Sequence, residues 1–176
     1  MTSDEELMLR AGRGDMHAFE RLVERHQRGA LGIAYHYLGR RGAAEDVVQD
    51  AFLRILEKAG SYRPTASFRT YLYRVIWHLC VDRYRRSTPT PLEGADPGAD
   101  PAAGPEARAM QAERGALIEQ AISELPDRQR MAVVLKYVEQ MSYREIAEAM
   151  ETTPSAVDSL LSRAREKLRA ELEGQL

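Results

Sequence analysis

Between Ser67 and Arg86, aromatic rings and guanidinium groups interleave. Phe68, Tyr71, Tyr73, Trp77 and Tyr84 lie among Arg69, Arg74, Arg83, Arg85 and Arg86. Rings stack on unpaired bases and guanidinium groups hold phosphates, so the pattern suits single-stranded nucleic acid. An amphipathic core helix with a basic outer face would look similar, and Leu72, Val75, Ile76 and Leu79 are expected to be core. A second pattern lies at residues 142–168. Residues 142–150 read as a short amphipathic helix, 151–153 as a turn, and 154–168 as a second helix bearing arginines. Such a helix-turn-helix places its second helix in the DNA major groove. Ile146, Ala147 and Met150 should pack on Val157, Leu160 and Leu161. That leaves Ser155, Asp158, Ser159, Ser162, Arg163 and Arg165 facing outward. Arginine bonds a guanine edge bidentately, serine bonds bases or phosphates, and the free N–H groups of a helix start favour phosphate. A helical hairpin used for protein contact fits the pattern alone as well. In a third segment, residues 44–56, Glu45, Asp46, Gln49 and Asp50 share a face opposite much of the stripe of Val47, Val48, Ala51, Phe52, Ile55 and Leu56. That face is either a docking patch for a partner helix or a solvated surface.

These segments need helices to hold them, and the whole chain has helical period. A first short helix starts at Ser3/Asp4 and buries Leu7, Met8 and Ala11. Asp15 is the N-cap of a helix over 16–38 that stops near Gly39. Helices follow at 43–59 and 67–85, then at 106–125 and 127–138, with Pro126 as the break. Ser142-x-x-Glu145 is a capping box, and Thr153-Pro154 is an N-cap followed by proline at the first helical position. No alternating strand pattern is present, so the expected fold is all-α.

Residues 87–106 hold five of the eight prolines, with Gly94, Gly98 and Gly104, no aromatic residue and one large aliphatic, Leu92. Such a stretch cannot bury enough apolar surface to offset its ordering entropy. It reads as a flexible acidic linker over 87–108, between a unit at 1–86 and a unit at 109–176 with the helix-turn-helix at 142–165.

The net charge of −2 argues against indiscriminate nucleic-acid binding, but the charge is uneven. Residues 1–86 carry 15 Lys+Arg against 11 Asp+Glu, whereas 109–176 carry 9 against 12. Basic side chains concentrate at 63–86 and 163–169, which suggests two DNA contacts, each weak alone, that cooperate. One cysteine, Cys80, rules out an intrachain disulfide and fits a reducing cytosol. His17, His26, His36 and His78 lack ligand spacing. No metal site, cofactor, catalytic residue, membrane insertion or signal-peptide core is expected, and the chain does not read as an enzyme.

The run Ala44-Glu45-Asp46-Val47-Val48-Gln49-Asp50-Ala51-Phe52-Leu53 looks very like the core-polymerase-binding helix of bacterial σ70-family sigma factors. The likeness is greatest to the small two-domain extracytoplasmic-function (ECF) class. The order of parts, σ2 domain, linker and σ4 domain, is similar too, and Leu125-Pro126-Asp127-Arg128-Gln129-Arg130 resembles the start of the second σ4 helix. The resemblance implies that Glu45, Asp46, Gln49, Asp50 and Leu53 meet the clamp coiled coil of the β′ subunit of core RNA polymerase, with further contact from σ4 to β. It implies that Tyr62, Arg63, Ser67, Arg69, Tyr73, Arg74, Trp77, His78, Arg83 and Arg85 take the melted −10 promoter strand, with loop 61–66 forming a pocket for a flipped base. Tyr143, Arg144, Thr153, Ser155, Asp158, Ser159, Ser162, Arg163 and Arg165 would then read the −35 element. The linker would run through the polymerase cleft, an anti-sigma factor would restrain the protein, and its place would be the cytoplasm. The sequence departs from the family pattern at Pro64, Trp77, His78, Asp158 and Leu160. The competing reading is a free-standing helix-turn-helix regulator that binds DNA as a dimer without polymerase. No heptad or other dimer helix supports it.

Overall fold

The computed structural model describes residues 1–87, 102 and 104–174, and among them the chain is helical with no strand. The helices are α1 (Asp4–Ala11), α2 (Met16–Leu38), α3 (Arg41–Glu57), α4 (Phe68–Arg86), α5 (Pro105–Ser123), α6 (Asp127–Tyr137), α7 (Tyr143–Ala149) and α8 (Pro154–Glu173), with a short 3₁₀ turn at Ala59–Ser61. Side-chain caps set most of the starts. Ser3, Asp15, Ser67 and Thr153 each accept from the backbone N–H three residues on, at 3.1–3.2 Å. Ser142 and Glu145 close a reciprocal capping box at 3.2 and 2.7 Å. Gly39, left-handed at φ 70°, ends α2.

Several boundaries differ from the sequence expectation: α3 and α5 each end two residues early, at Glu57 and Ser123, α8 runs on to Glu173 beyond residue 168, and two starts shift. α3 begins at Arg41, two residues early, with no capping side chain from Arg40. α5 begins at Pro105, so residues 105–108, assigned by composition to the linker, form its first turn. The remainder of the proposed linker, 88–101 and 103, lies outside the described residues.

α1 to α4 enclose Leu7, Met8, Leu22, Ile33, Ile55, Phe68, Leu72 and Ile76, all with no exposed surface. Each contributes about 1.5–3 kcal/mol by burial. Asp4 ties α1 to α2 through Arg25 at 2.7 Å and His26 at 2.6 Å. Glu5 accepts from the Phe68 N–H at 2.9 Å, so α1 also caps α4. α6, α7 and α8 enclose a second group, including Met131, Leu135, Ile146, Val157 and Leu161. The halves are packed together: α6 lies against α2 and α7 against α4, and the buried apolar side chains form one cluster.

Candidate nucleic-acid and partner interfaces

α3 sets its acidic face beside an apolar groove. Glu45, Asp46, Gln49 and Asp50 are all exposed. Glu45, Asp46, Gln49, Val48, Phe52 and Leu53 line a groove of about 510 Å³ together with Phe19, Val23, Gln27 and Leu31 of α2. Leu53 is 53% exposed at its edge. A groove with Val23 and Leu31 partly exposed, Leu53 at its edge and a carboxylate and amide rim is chemistry for an amphipathic helix. The α2 side of this groove was missed in the sequence, because its residues read as part of an ordinary core stripe.

The loop before α4 forms a smaller pocket of about 190 Å³, lined by Lys58, Ser61, Tyr62, Arg63, Thr65, Ala66, Tyr71 and Arg74. It brings the predicted Tyr62, Arg63 and Arg74 together and adds Lys58 and Tyr71, which the sequence reading had not assigned to it. The Tyr62 and Tyr71 rings lie 5.4 Å apart. Burial pushes the Tyr62 phenol up to about 12, and its hydroxyl is buried with no hydrogen-bond partner. Ser67 spends its hydroxyl on the α4 cap and on Thr70. Arg83 extends the other way, pairing with Asp46 of α3 at 2.8 Å.

Trp77 corrects an expectation. It is 6% exposed and packs edge-on against Tyr37 at 6.0 Å, so it is a core residue closed to solvent. The reason is position: Trp77 lies beside Ile76 and Cys80, both fully buried, on the side of α4 that meets α2.

The helix-turn-helix forms as read. Ile146, Ala147 and Met150 are buried with Val157 and Leu161, while Leu160 is partly buried. Ser155, Asp158, Ser159, Arg163 and Arg165 are exposed on α8, and Ser162 is half-buried. Arg165 donates to Ser162 at 3.4 Å. On α7, Arg144 pairs with Glu148 at 3.6 Å, and Lys136 sits over the Tyr143 ring. Thr153 serves as the α8 cap.

The other predicted strand-binding residues meet the second half of the chain. Arg69 bonds the Glu139 main-chain carbonyl and lies 3.4 Å from its carboxylate, to which the Tyr73 hydroxyl donates at 2.5 Å. Burial and this carboxylate both raise the Tyr73 phenol above its ordinary value. Arg74 donates to the Glu148 carbonyl at 3.0 Å, His78 lies 3.2 Å from Glu151, and Arg85 lies 3.9 Å from Asp127. Arg130 of α6, 2% exposed, sits over the rings of Tyr84 at 4.3 Å and Tyr37 at 4.9 Å. The sequence reading missed these contacts. The excess of acids after residue 109, set against the arginine row of α4, is the signal that pointed to them.

Two helical units, one with an exposed acidic and apolar α3 face and one with a helix-turn-helix, define a σ70-type architecture. Residues 22–90 match the Sigma-70 region 2 family model, and residues 115–168 match the Sigma-70 region 4 model. The chain is 32% identical to the ECF RNA polymerase sigma factor SigW of Bacillus subtilis over 91% of both chains. It is 35% identical to the ECF RNA polymerase sigma factor SigM of Mycobacterium tuberculosis, over 99% of this chain and 86% of that protein. The solved structure of CnrH in complex with the cytosolic domain of CnrY resembles it at TM-score 0.77 and 26% identity, over 99% of this chain and 100% of that one. This chain belongs to the extracytoplasmic-function class of the σ70 family of sigma factors.

Proposed function

We propose that the chain directs promoter-specific initiation by core RNA polymerase. The α3 face of Glu45, Asp46, Gln49, Asp50 and Leu53, with the α2 wall of its groove, docks on the β′ clamp coiled coil, and the σ4 half touches β. The observation that carries this reading is the groove itself: a large aliphatic, Leu53, left half in water beside three polar rim residues on a helix that otherwise buries its apolar stripe.

The pocket at Tyr62, Arg63 and Arg74 takes a base flipped out of the −10 non-template strand. The Arg63 and Arg74 guanidinium groups that line it supply donors for the base and its phosphates. Arg69, His78 and Arg85 track the strand beyond it; Tyr73, 2% exposed, is a core residue of α4 like Trp77. Exposed α8 residues Ser155, Asp158, Ser159, Arg163 and Arg165, with Arg144 and Tyr143 of α7, read the −35 element in the major groove. The polypeptide supplies no catalytic group; bond making belongs to polymerase. It acts in the cytoplasm. No helix among the described residues is long and apolar enough to cross a membrane. CnrH is bound by the cytosolic domain of CnrY, and a comparable anti-sigma partner of this chain covers the α2–α3 groove.

In vitro transcription with purified core polymerase tests the proposal. The chain is expected to produce discrete transcripts from a genomic library and to shift promoter DNA only with polymerase present. Absence of any specific start, or full-strength operator binding by the chain alone, overturns it.

A further inference from the structure

The first helix, α1, grips the loop that forms the Tyr62 pocket at both ends. It is anchored on α2, where Asp4 meets Arg25 at 2.7 Å and His26 at 2.6 Å, and its Leu7 and Met8 have no exposed surface. Those contacts already hold the helix in place. Its two remaining contacts fall on the pocket segment instead.

At the α4 end of the loop, the Glu5 carboxylate accepts from the Phe68 N–H at 2.9 Å. Phe68 is the first residue of α4, where a backbone N–H has no partner inside the helix. Ser67 takes only the Thr70 N–H, so a carboxylate 63 residues away completes the cap. At the other end, the close of α1 lies on the 3₁₀ turn Ala59–Ser61. There the approach is backbone on backbone. A Cβ at Gly12 would run into the Ala59 carbonyl oxygen and sit 3.0 Å from its carbon. Gly12 has φ −62° and ψ −18°, which any residue adopts, so glycine stands there for the close approach and not for its conformation. The same Ala59 carbonyl accepts from the Tyr62 N–H at 3.2 Å. Tyr62 lines the pocket beside Tyr71, and Arg63, Pro64 and Thr65 stand exposed between the two grips. Burial raises the Tyr62 phenol, and the Glu5 and Asp4 charges add to it, so the acidic end of α1 is felt at that ring.

We infer that α1 positions the pocket: Glu5 and Gly12 set the shape of the segment 59–67 and, through it, how selectively a base is held there. Both are positioning residues that do not touch the strand. The inference rests on the pocket taking a flipped base, as proposed above.

Three variants test it in the full chain bound to core polymerase. Gly12→Ala adds one methyl group that the helix end itself accepts. Glu5→Ala removes the acceptor for the Phe68 N–H, and Glu5→Gln keeps a carbonyl in its place. The probe is a fluorescein-labelled non-template −10 oligonucleotide from a promoter at which the wild type initiates, intact or with an abasic site at each position in turn. At the pocket position the wild type should prefer the intact strand by on the order of tenfold. Gly12→Ala and Glu5→Ala should bring that ratio to about one, and Glu5→Gln should keep it. Partial unfolding would weaken both strands equally, so the ratio reports pocket shape and not stability. Amide exchange on the free chain gives a readout independent of DNA. Exchange of the Tyr62 N–H in Gly12→Ala, and of the Phe68 N–H in Glu5→Ala, should rise about tenfold while Leu22 and Ile33 of α2 stay as in the wild type.

An unchanged ratio in Gly12→Ala and Glu5→Ala, a loss in Glu5→Gln as large as in Glu5→Ala, or exchange that is unchanged or raised equally across α2 overturns the inference alone. A wild type that never initiates, or that initiates with no abasic preference at any −10 position, sinks the functional reading and the inference with it.

Discussion

Asp50 and Tyr62 are single residues with opposite surroundings, and each yields a distinct expectation. Asp50 is exposed on α3 beside the groove. Exposed substitutions away from special features usually shift stability by less than about 0.5 kcal/mol. Asp50→Arg should therefore leave the melting curve unchanged while abolishing co-purification with β′, because it puts a cation on an acidic docking face. Tyr62 is buried, and its hydroxyl lacks a partner. A buried unsatisfied polar group costs about 1–3 kcal/mol. Tyr62→Phe should thus be neutral or stabilising by up to about 1 kcal/mol in urea denaturation. In the same variant, promoter opening by the polymerase complex should slow if the hydroxyl meets a base. A destabilised Tyr62→Phe variant would mean that the hydroxyl has a partner in solution.

At the scale of the element, helix starts were legible because they are local chemistry. Ser3, Asp15, Ser67, Ser142 and Thr153 each advertise a cap within four residues of sequence, and each cap is made. The start of α3 was not legible, because Arg40 gives no side-chain capping signal. The helix-turn-helix and the α3 face were legible from spacing. Trp77 was not, because its burial depends on Tyr37, forty residues upstream, and no local pattern reports that contact. The capping box gives a direct test. Ser142→Ala should cost the σ4 half about 1 kcal/mol at neutral pH. The Ser142 backbone N–H holds the Glu145 carboxyl below its ordinary value, with burial opposing. A carboxyl depressed in the folded state stabilises above its unfolded value and loses that contribution as pH falls through the folded one. The difference between wild type and Glu145→Ala should therefore narrow in acid, below the ordinary glutamate value of 4.5. A gap that is constant with pH would show that the carboxylate form does not make the box.

For the whole molecule, the consequence of packing the two halves together is thermodynamic coupling. Apolar side chains of both halves belong to one cluster, and Arg130 bridges them through Tyr37 and Tyr84. Nothing in the linker's composition announced this. A proline- and glycine-rich tether reads as a spacer, and pairs such as Tyr73 with Glu139 or Arg69 with Glu139 join residues 66 and 70 positions apart. If the halves are packed as one body, they should unfold as one. Calorimetry of the wild type should then show a single transition whose van't Hoff and calorimetric enthalpies agree. At about 0.7 kcal/mol per residue near 60 °C, that enthalpy should approach about 120 kcal/mol for the full chain. A Cβ at Gly29 would sit 2.6 Å from the Tyr73 hydroxyl and 3.1 Å from both Glu139 carboxylate oxygens, so Gly29→Leu should wedge α2 from the Glu139 corner while leaving each half its own core, and its scan should split. The σ4 half should melt first, with about 50 kcal/mol, since it has fewer helices around its core and loses the covering from α2 and α4. Two separate transitions in the wild type would show that the halves melt independently, and a single one in Gly29→Leu would show that the coupling runs through contacts other than those at Gly29.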